Sequence, residues 1–160
     1  MGTNAENAHQ IFQKYIGKEE GVGDWHQVDQ EQINLFAQAT GDHQWIHTDP
    51  DRAAKMSPYK TTIAHGFLTL SRIPYLGGKI PPVDMEAYKG LAMGVNYGLD
   101  KARFPSPVKV DSRVRARREL VAADLVNPNT IALKQRVTIE IEGEPKPACV
   151  AETLTRMIYS

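Results

Sequence analysis

Cysteine is almost absent from this 160-residue chain. Cys149 stands alone, so no intrachain disulfide is available and a reducing compartment is expected. Charge of one sign is lacking too: 19 Lys and Arg balance 19 Asp and Glu. Without a global field a nucleic-acid partner is not indicated, and any charged ligand must be recognised locally. No apolar run reaches membrane-spanning length, and the opening MGTNAENAHQ carries no apolar signal core. Glu6 stands where a myristoylation pattern wants Ser or Thr. A cytoplasmic protein with no membrane partner is the expectation. P-loop, GxGxxG, GxSxG, HExxH and CxxC patterns are missing as well, which narrows the enzyme classes open to it. The length suffices for one domain, residues 1–160, that buries roughly two thirds of its unfolded surface without staples.

What is present falls into two halves. Residues 5–16 carry Ala8, Ile11, Phe12, Tyr15 and Ile16 at helical spacing up to Gly17, which predicts a helix with a glycine stop. The segment WHQV reads as extended. Asp29 is the expected N-cap of a second helix, with Gln32 at capping-box spacing and Gly41 at its end. PDRAAK predicts a short helix with proline in its first turn. The most apolar run, TTIAHGFLTLSRIPYLGG, predicts a buried central helix that opens near His65 and closes at Gly77 and Gly78. The prolines of KIPPVDMEAYKG predict a surface loop, a plausible lid or tunnel element. Four strand-like runs follow, with period-2 alternation at Arg113, Arg115 and Arg117 and again at Arg136, Thr138, Glu140 and Glu142. Helices early and strands late predict an α+β domain, an antiparallel sheet wrapped around the apolar helix.

Residues 41–49, GDHQWIHTD, concentrate the titratable groups. In a regular helix Asp42 and His47, five apart, would diverge by roughly 140°, and in a strand they would take opposite faces. Only an irregular segment lets both aim into one pocket, and Gly41 and Pro50 permit one. The pair His43 and His47 invites a metal reading, but the Gly41 and Pro50 brackets break the continuous helix such a pair wants, and no metal is expected. The plainer reading makes Asp42 a turn residue and His47 a structural imidazole. In IAHGFLTLS, Gly66 lies at the entrance to the apolar helix, where backbone N–H donors could stabilise charge on a carbonyl oxygen; close packing explains a glycine there equally. Acid, imidazole and oxyanion donor together are the parts needed to add or remove water beside an activated carbonyl.

GDHQWIHTDPDRA, TTIAHGFLTLS and NYGLDKARFPSPV, in that order, resemble the MaoC-like dehydratases, the (R)-specific enoyl-CoA hydratase family, in its nodulation protein N-like single-domain branch. The resemblance runs from about Trp25 to Met157. It implies a hot-dog fold, a homodimer with sheets joined edge to edge, an acyl-CoA thioester substrate, and no metal or redox cofactor. It also implies that Asp42 and His47 hold and deprotonate a water, and that the Gly66 N–H polarises the thioester carbonyl. Gln44 and Trp45 stand where the family often has Asn and Pro, and are expected to orient the dyad and wall the pocket. Asp111 stands where glycine is frequent. His65, Phe67 and Asn96 complete the expected substrate-binding set. Arg113, Arg115, Arg117 and Arg118 could meet CoA phosphates, although a solvated sheet face accounts for most of them. Cys149 reads as a small buried hydrophobe. Because fold alone does not decide function, acyl-CoA thioesterase chemistry and a non-catalytic acyl-CoA-binding module remain the alternatives.

Overall fold

A computed structural model describes residues 2–160. Thr3 caps helix α1 (Asn4–Gln13): its hydroxyl accepts from the Glu6 N–H, and the Glu6 carboxylate accepts from the Thr3 N–H, a reciprocal box that fixes where the helix begins. Ala5, Ala8 and Phe12 form its buried stripe. The helix ends earlier than its periodicity predicts, unwinding through turns to Gly17 in the left-handed region. Short strands β1 (Glu19–Val22) and β2 (His26–Gln27) lead to α2 (Gln30–Thr40). Asp29 caps α2 through the Gln32 N–H at 2.9 Å, but Gln32 does not return the bond, so half of the expected box forms.

One-turn helix α3 (Trp45–Thr48) and α4 (Pro50–Met56) follow. The expected single central helix is two short ones, α5 (Gly66–Ser71) and α6 (Ile73–Gly77). Arg72 ends the first and starts the second because Pro74 has no N–H to continue the ladder. Nor is this unit buried all round. Leu68 and Leu76 face the sheet, while Phe67 and Tyr75 are 68% and 48% exposed. Residues 61–65, expected to lead into the helix, are extended, with Ile63 bridged to Lys109. The segment KIPPVDMEAYKG is no free loop: a 3-10 turn at Met85–Tyr88 buries Ala87, whose carbonyl accepts from the Tyr159 hydroxyl at 2.8 Å.

Strands β3 (Leu91–Arg103), β4 (Arg113–Asn127), β5 (Thr130–Ile141) and β6 (Cys149–Tyr159) complete an antiparallel sheet ordered β1-β4-β5-β6-β3, with β2 paired to the start of β4. Its inner face carries two apolar clusters. Leu68 of α5, Leu76 of α6 and Ile33 of α2 share one cluster with Ala116, Val137 and Ile139 of the sheet; Phe12 of α1 shares the other with Leu120, Ile131, Leu133 and Met157. On the outer face Arg113, Arg115 and Arg117 pair with Glu142, Glu140 and Glu19, the solvated ladder that their alternation predicts. Arg118 turns inward to the buried Glu20, which also accepts from Gln135 at 2.9 Å.

The crossover between β3 and β4 stitches the early segments to the sheet. Ala64 N–H donates to Val108 O at 2.7 Å, Val110 N–H to Thr62 O at 2.9 Å, and Asp111 N–H to Val28 O at 2.7 Å. Asp111 has φ 67°, a left-handed conformation that glycine adopts freely and aspartate tolerates better than most residues.

Candidate active site

Gly41, at φ 81°, stops α2 and turns the chain through 42–44 without regular structure before α3 begins. The irregularity expected of the whole segment is therefore confined to the Asp42 side, and His47 rides on one helical turn. Asp42 is exposed and its carboxylate receives the Gln44 N–H at 3.3 Å. His47 is 7% exposed. Its Nδ1 lies 2.6 Å from the Ile63 carbonyl. A carbonyl only accepts, so Nδ1 carries the proton and Nε2 keeps a lone pair.

His65 is buried beside it, the two rings stacked at 3.9 Å with planes 26° apart. The same logic makes His65 Nε2 the donor to the Asp42 carbonyl at 2.9 Å, and its Nδ1 has no hydrogen-bond partner among the described residues. One ring nitrogen from each histidine and a carboxylate oxygen of Asp42 lie within 4.8 Å of one another. Three such ligands could in principle hold a metal ion. Imidazole lone pairs lie in the ring plane, however, and two near-parallel rings direct them side by side where tetrahedral coordination needs convergence.

Burial is the largest influence on His47 and pulls its imidazole below the ordinary histidine value. The Ile63 carbonyl opposes this, the neighbouring His65 reinforces it, and the Asp42 carboxylate opposes it. The net effect keeps the ring neutral, the state that can accept a proton. Burial pushes the Cys149 thiol up to about 11, which leaves it inert as a nucleophile.

Gly66 follows His65 as the first residue of α5, where a backbone N–H has no acceptor within the helix. A Cβ there would meet the Phe104 ring at 3.2 Å, a tight contact that a larger residue would relieve only by pushing that ring aside. Phe67 points outward with its ring 6.0 Å from that of Phe104. Gln44 is exposed and contributes its main chain, and Trp45 is half-buried under the Arg52 guanidinium, 4.5 Å away. Asn96 lines a different groove, of about 450 Å³, with Leu70, Ser71, Tyr97 and Leu154; Asp42, His47 and His65 take no part in it. The residue that sequence reasoning misses is Gln30, whose side chain reaches the His47 carbonyl at 2.7 Å. A first-turn glutamine carries no motif that could have flagged it.

The fold and this cluster define a hot-dog protein with an acid and an imidazole at the mouth of its short helical unit. The family model described as "MaoC like domain" matches residues 11–142. Over 142 residues the chain is 49% identical to 3-hydroxyacyl-thioester dehydratase Z of Mycobacterium tuberculosis, covering 89% of this chain and 90% of that protein. It is 47% identical over 140 residues to nodulation protein N of Rhizobium leguminosarum bv. viciae, covering 88% and 84%. An unliganded R-hydratase of Pseudomonas aeruginosa superposes with a TM-score of 0.66 at 21% identity, covering 91% of this chain and 83% of that one, a likeness of fold. The chain belongs to the MaoC-like dehydratase family.

Proposed function

We propose that this protein is an (R)-specific enoyl-CoA hydratase that adds water reversibly to trans-2-enoyl-CoA and runs in reverse as a 3-hydroxyacyl-CoA dehydratase. The observation that carries the reading is His47, its Nδ1 held by the Ile63 carbonyl, its neutral form favoured by burial, and a ring nitrogen of it within 4.8 Å of an Asp42 carboxylate oxygen. The identity to a protein named as a 3-hydroxyacyl-thioester dehydratase supports it.

In this reading His47 Nε2 takes a proton from the shared water as its oxygen bonds to C3. The electron pair of the double bond moves toward the thioester carbonyl, whose oxygen is met by the Gly66 N–H. Asp42 receives that proton from the His47 imidazolium and delivers it to C2, so that both groups return to their starting states. The Asp42 and His47 chemistry calls for neither a metal nor a redox group. His65, Gln44, Trp45 and Phe67 border the acyl entrance, and Asn96 serves a longer acyl chain in the adjoining groove. The active form in this reading is a homodimer. Strand β3 is the sheet's terminal strand, pairs only with β6 among the described residues, and exposes Met93, Val95, Tyr97 and Leu99. Such an edge calls for a partner, and a second copy of the same edge supplies one.

The test is a purified-protein assay on a short trans-2-enoyl-CoA, following the conjugated thioester's ultraviolet absorbance and free thiol together. Absorbance loss without thiol is the expected result. Thiol release would replace the proposal with thioesterase chemistry, and saturable binding without chemical change across short, medium and long chains would replace it with a binding module.

A further inference from the structure

Gln30 is the first residue of α2, 17 positions before His47, yet its amide touches both segments that build the imidazole's surroundings. Its Nε2 donates to the His47 carbonyl at 2.7 Å and to Asn34 Oδ1 at 3.0 Å. Its Oε1 accepts from the Thr62 hydroxyl at 2.6 Å, and Thr62 is 1% exposed. Both amide hydrogens and the amide oxygen are thus engaged. Flipping the amide would set its oxygen against two acceptors, so the network fixes which end is which.

Thr62 precedes Ile63, whose carbonyl takes the His47 Nδ1 proton at 2.6 Å. The bonds close a ring: from Gln30 to the His47 carbonyl, from the His47 side chain to Ile63, back along the chain to Thr62, and from the Thr62 hydroxyl to Gln30. A further bond, Ile63 N–H to Ile46 O at 3.0 Å, locks the same two strands of chain together. We infer that Gln30 is a positioning residue for the reaction: its amide clamps the His47 segment to the Thr62–Ile63 segment and thereby fixes the tautomer and aim of the His47 ring. The inference rests on the hydratase reading above for what the ring does, but not for how the ring is held.

Gln30→Glu separates this role from mere folding. A carboxylate can still accept from Thr62 but cannot donate to the His47 carbonyl, so the clamp opens on one side. At the first position of a helix an acid is favoured, so α2 should hold its stability. Two readouts apply, kcat and KM on a short trans-2-enoyl-CoA, and ¹⁵N spectra of the His47 ring above neutral pH without substrate. In the wild type the ring should be a single Nδ1–H tautomer. In Gln30→Glu we expect mixed tautomers, an unchanged melting point, a kcat lower by roughly 10- to 100-fold and an unaltered KM, the signature of a misaimed group rather than a lost binding contact. Thr62→Val should fall the same way, and Thr62→Ser, which restores the hydroxyl, should recover most of the loss. Unchanged ring spectra and kcat in Gln30→Glu would overturn the inference, as would a loss that merely follows a collapse in melting point. Should the wild type fail to turn over any enoyl thioester, the hydratase reading falls, and the ring spectra alone decide the clamp.

Discussion

Replacing Asp42 with Asn separates chemistry from architecture more cleanly than any other change at this site. Asparagine keeps the volume and the side-chain oxygen that receives the Gln44 N–H, a bond already long at 3.3 Å. The bond that holds the loop, from His65 Nε2 at 2.9 Å, goes to the Asp42 main-chain carbonyl and is untouched. The amide oxygen still accepts, so only the charge assistance of a long, exposed bond is lost, on the order of 1 kcal/mol, which would lower Tm by about 2–4 °C in a chain of this size. The proton transfer, by contrast, is removed outright. General acid–base catalysis by one group contributes typically 10²–10⁴-fold, which is about 3–5 kcal/mol on the barrier. The assay is kcat at saturating trans-2-enoyl-CoA, read by loss of the conjugated thioester absorbance, beside a thermal melt of the same preparation. A kcat close to that of the wild type would refute the dyad, and a large fall in Tm would show that Asp42 is a structural residue.

The pH dependence follows from the lowered pKa of His47, caused first by burial. The unfolded imidazole, near 6.5, takes up its proton before the folded one, so stability tied to this residue is present above 6.5 and is lost as pH falls from there through the lower folded value. The acid limb of kcat/KM should share that origin, with a midpoint below 6.5, and a profile measured from pH 5 to 8 checks it. Phe12, fully buried in the cluster under α1, should cost about 3–5 kcal/mol as Phe12→Ala, with kcat preserved at temperatures where the variant is folded; urea unfolding and turnover measured together test this. Glu20, whose side chain is 1% exposed, faces Arg118 and Gln135, so Glu20→Ala should destabilise by about 3–5 kcal/mol by leaving a cation unpaired; a Tm within error of the wild type would show that water reaches Arg118.

The strands were legible because period-2 alternation is a local signal, and the outer arginines pair as their spacing implies. The approach of Asp42 to His47 was legible because glycine and proline bracket a segment dense in titratable groups. The central helix was misread because an apolar run states how much is buried, not whether one helix or two does the burying; Pro74 decided that. Phe67 belongs to that run yet stands 68% exposed, since density of apolar residues says nothing about which side faces the sheet. The second capping box, Thr3 with Glu6, lay in plain view, while the first was half realised because Gln32 turns away. Gln30 and the His47–His65 stack depend on which segments meet in space, and 17 or 18 residues of separation hide that from any local pattern.

The crossover at residues 108–111 gives the order of assembly a chemical meaning. Every side chain proposed for catalysis precedes residue 67, but the segments that flank them, at Val28, Thr62 and Ala64, are hydrogen-bonded to Val108, Val110 and Asp111. A nascent chain emerging from the ribosome would hold all the reactive groups and no catalyst until that later stretch arrives. Hydrogen exchange at Ala64 should accordingly report the closing of the sheet, so that turnover and tertiary structure appear in the same kinetic phase.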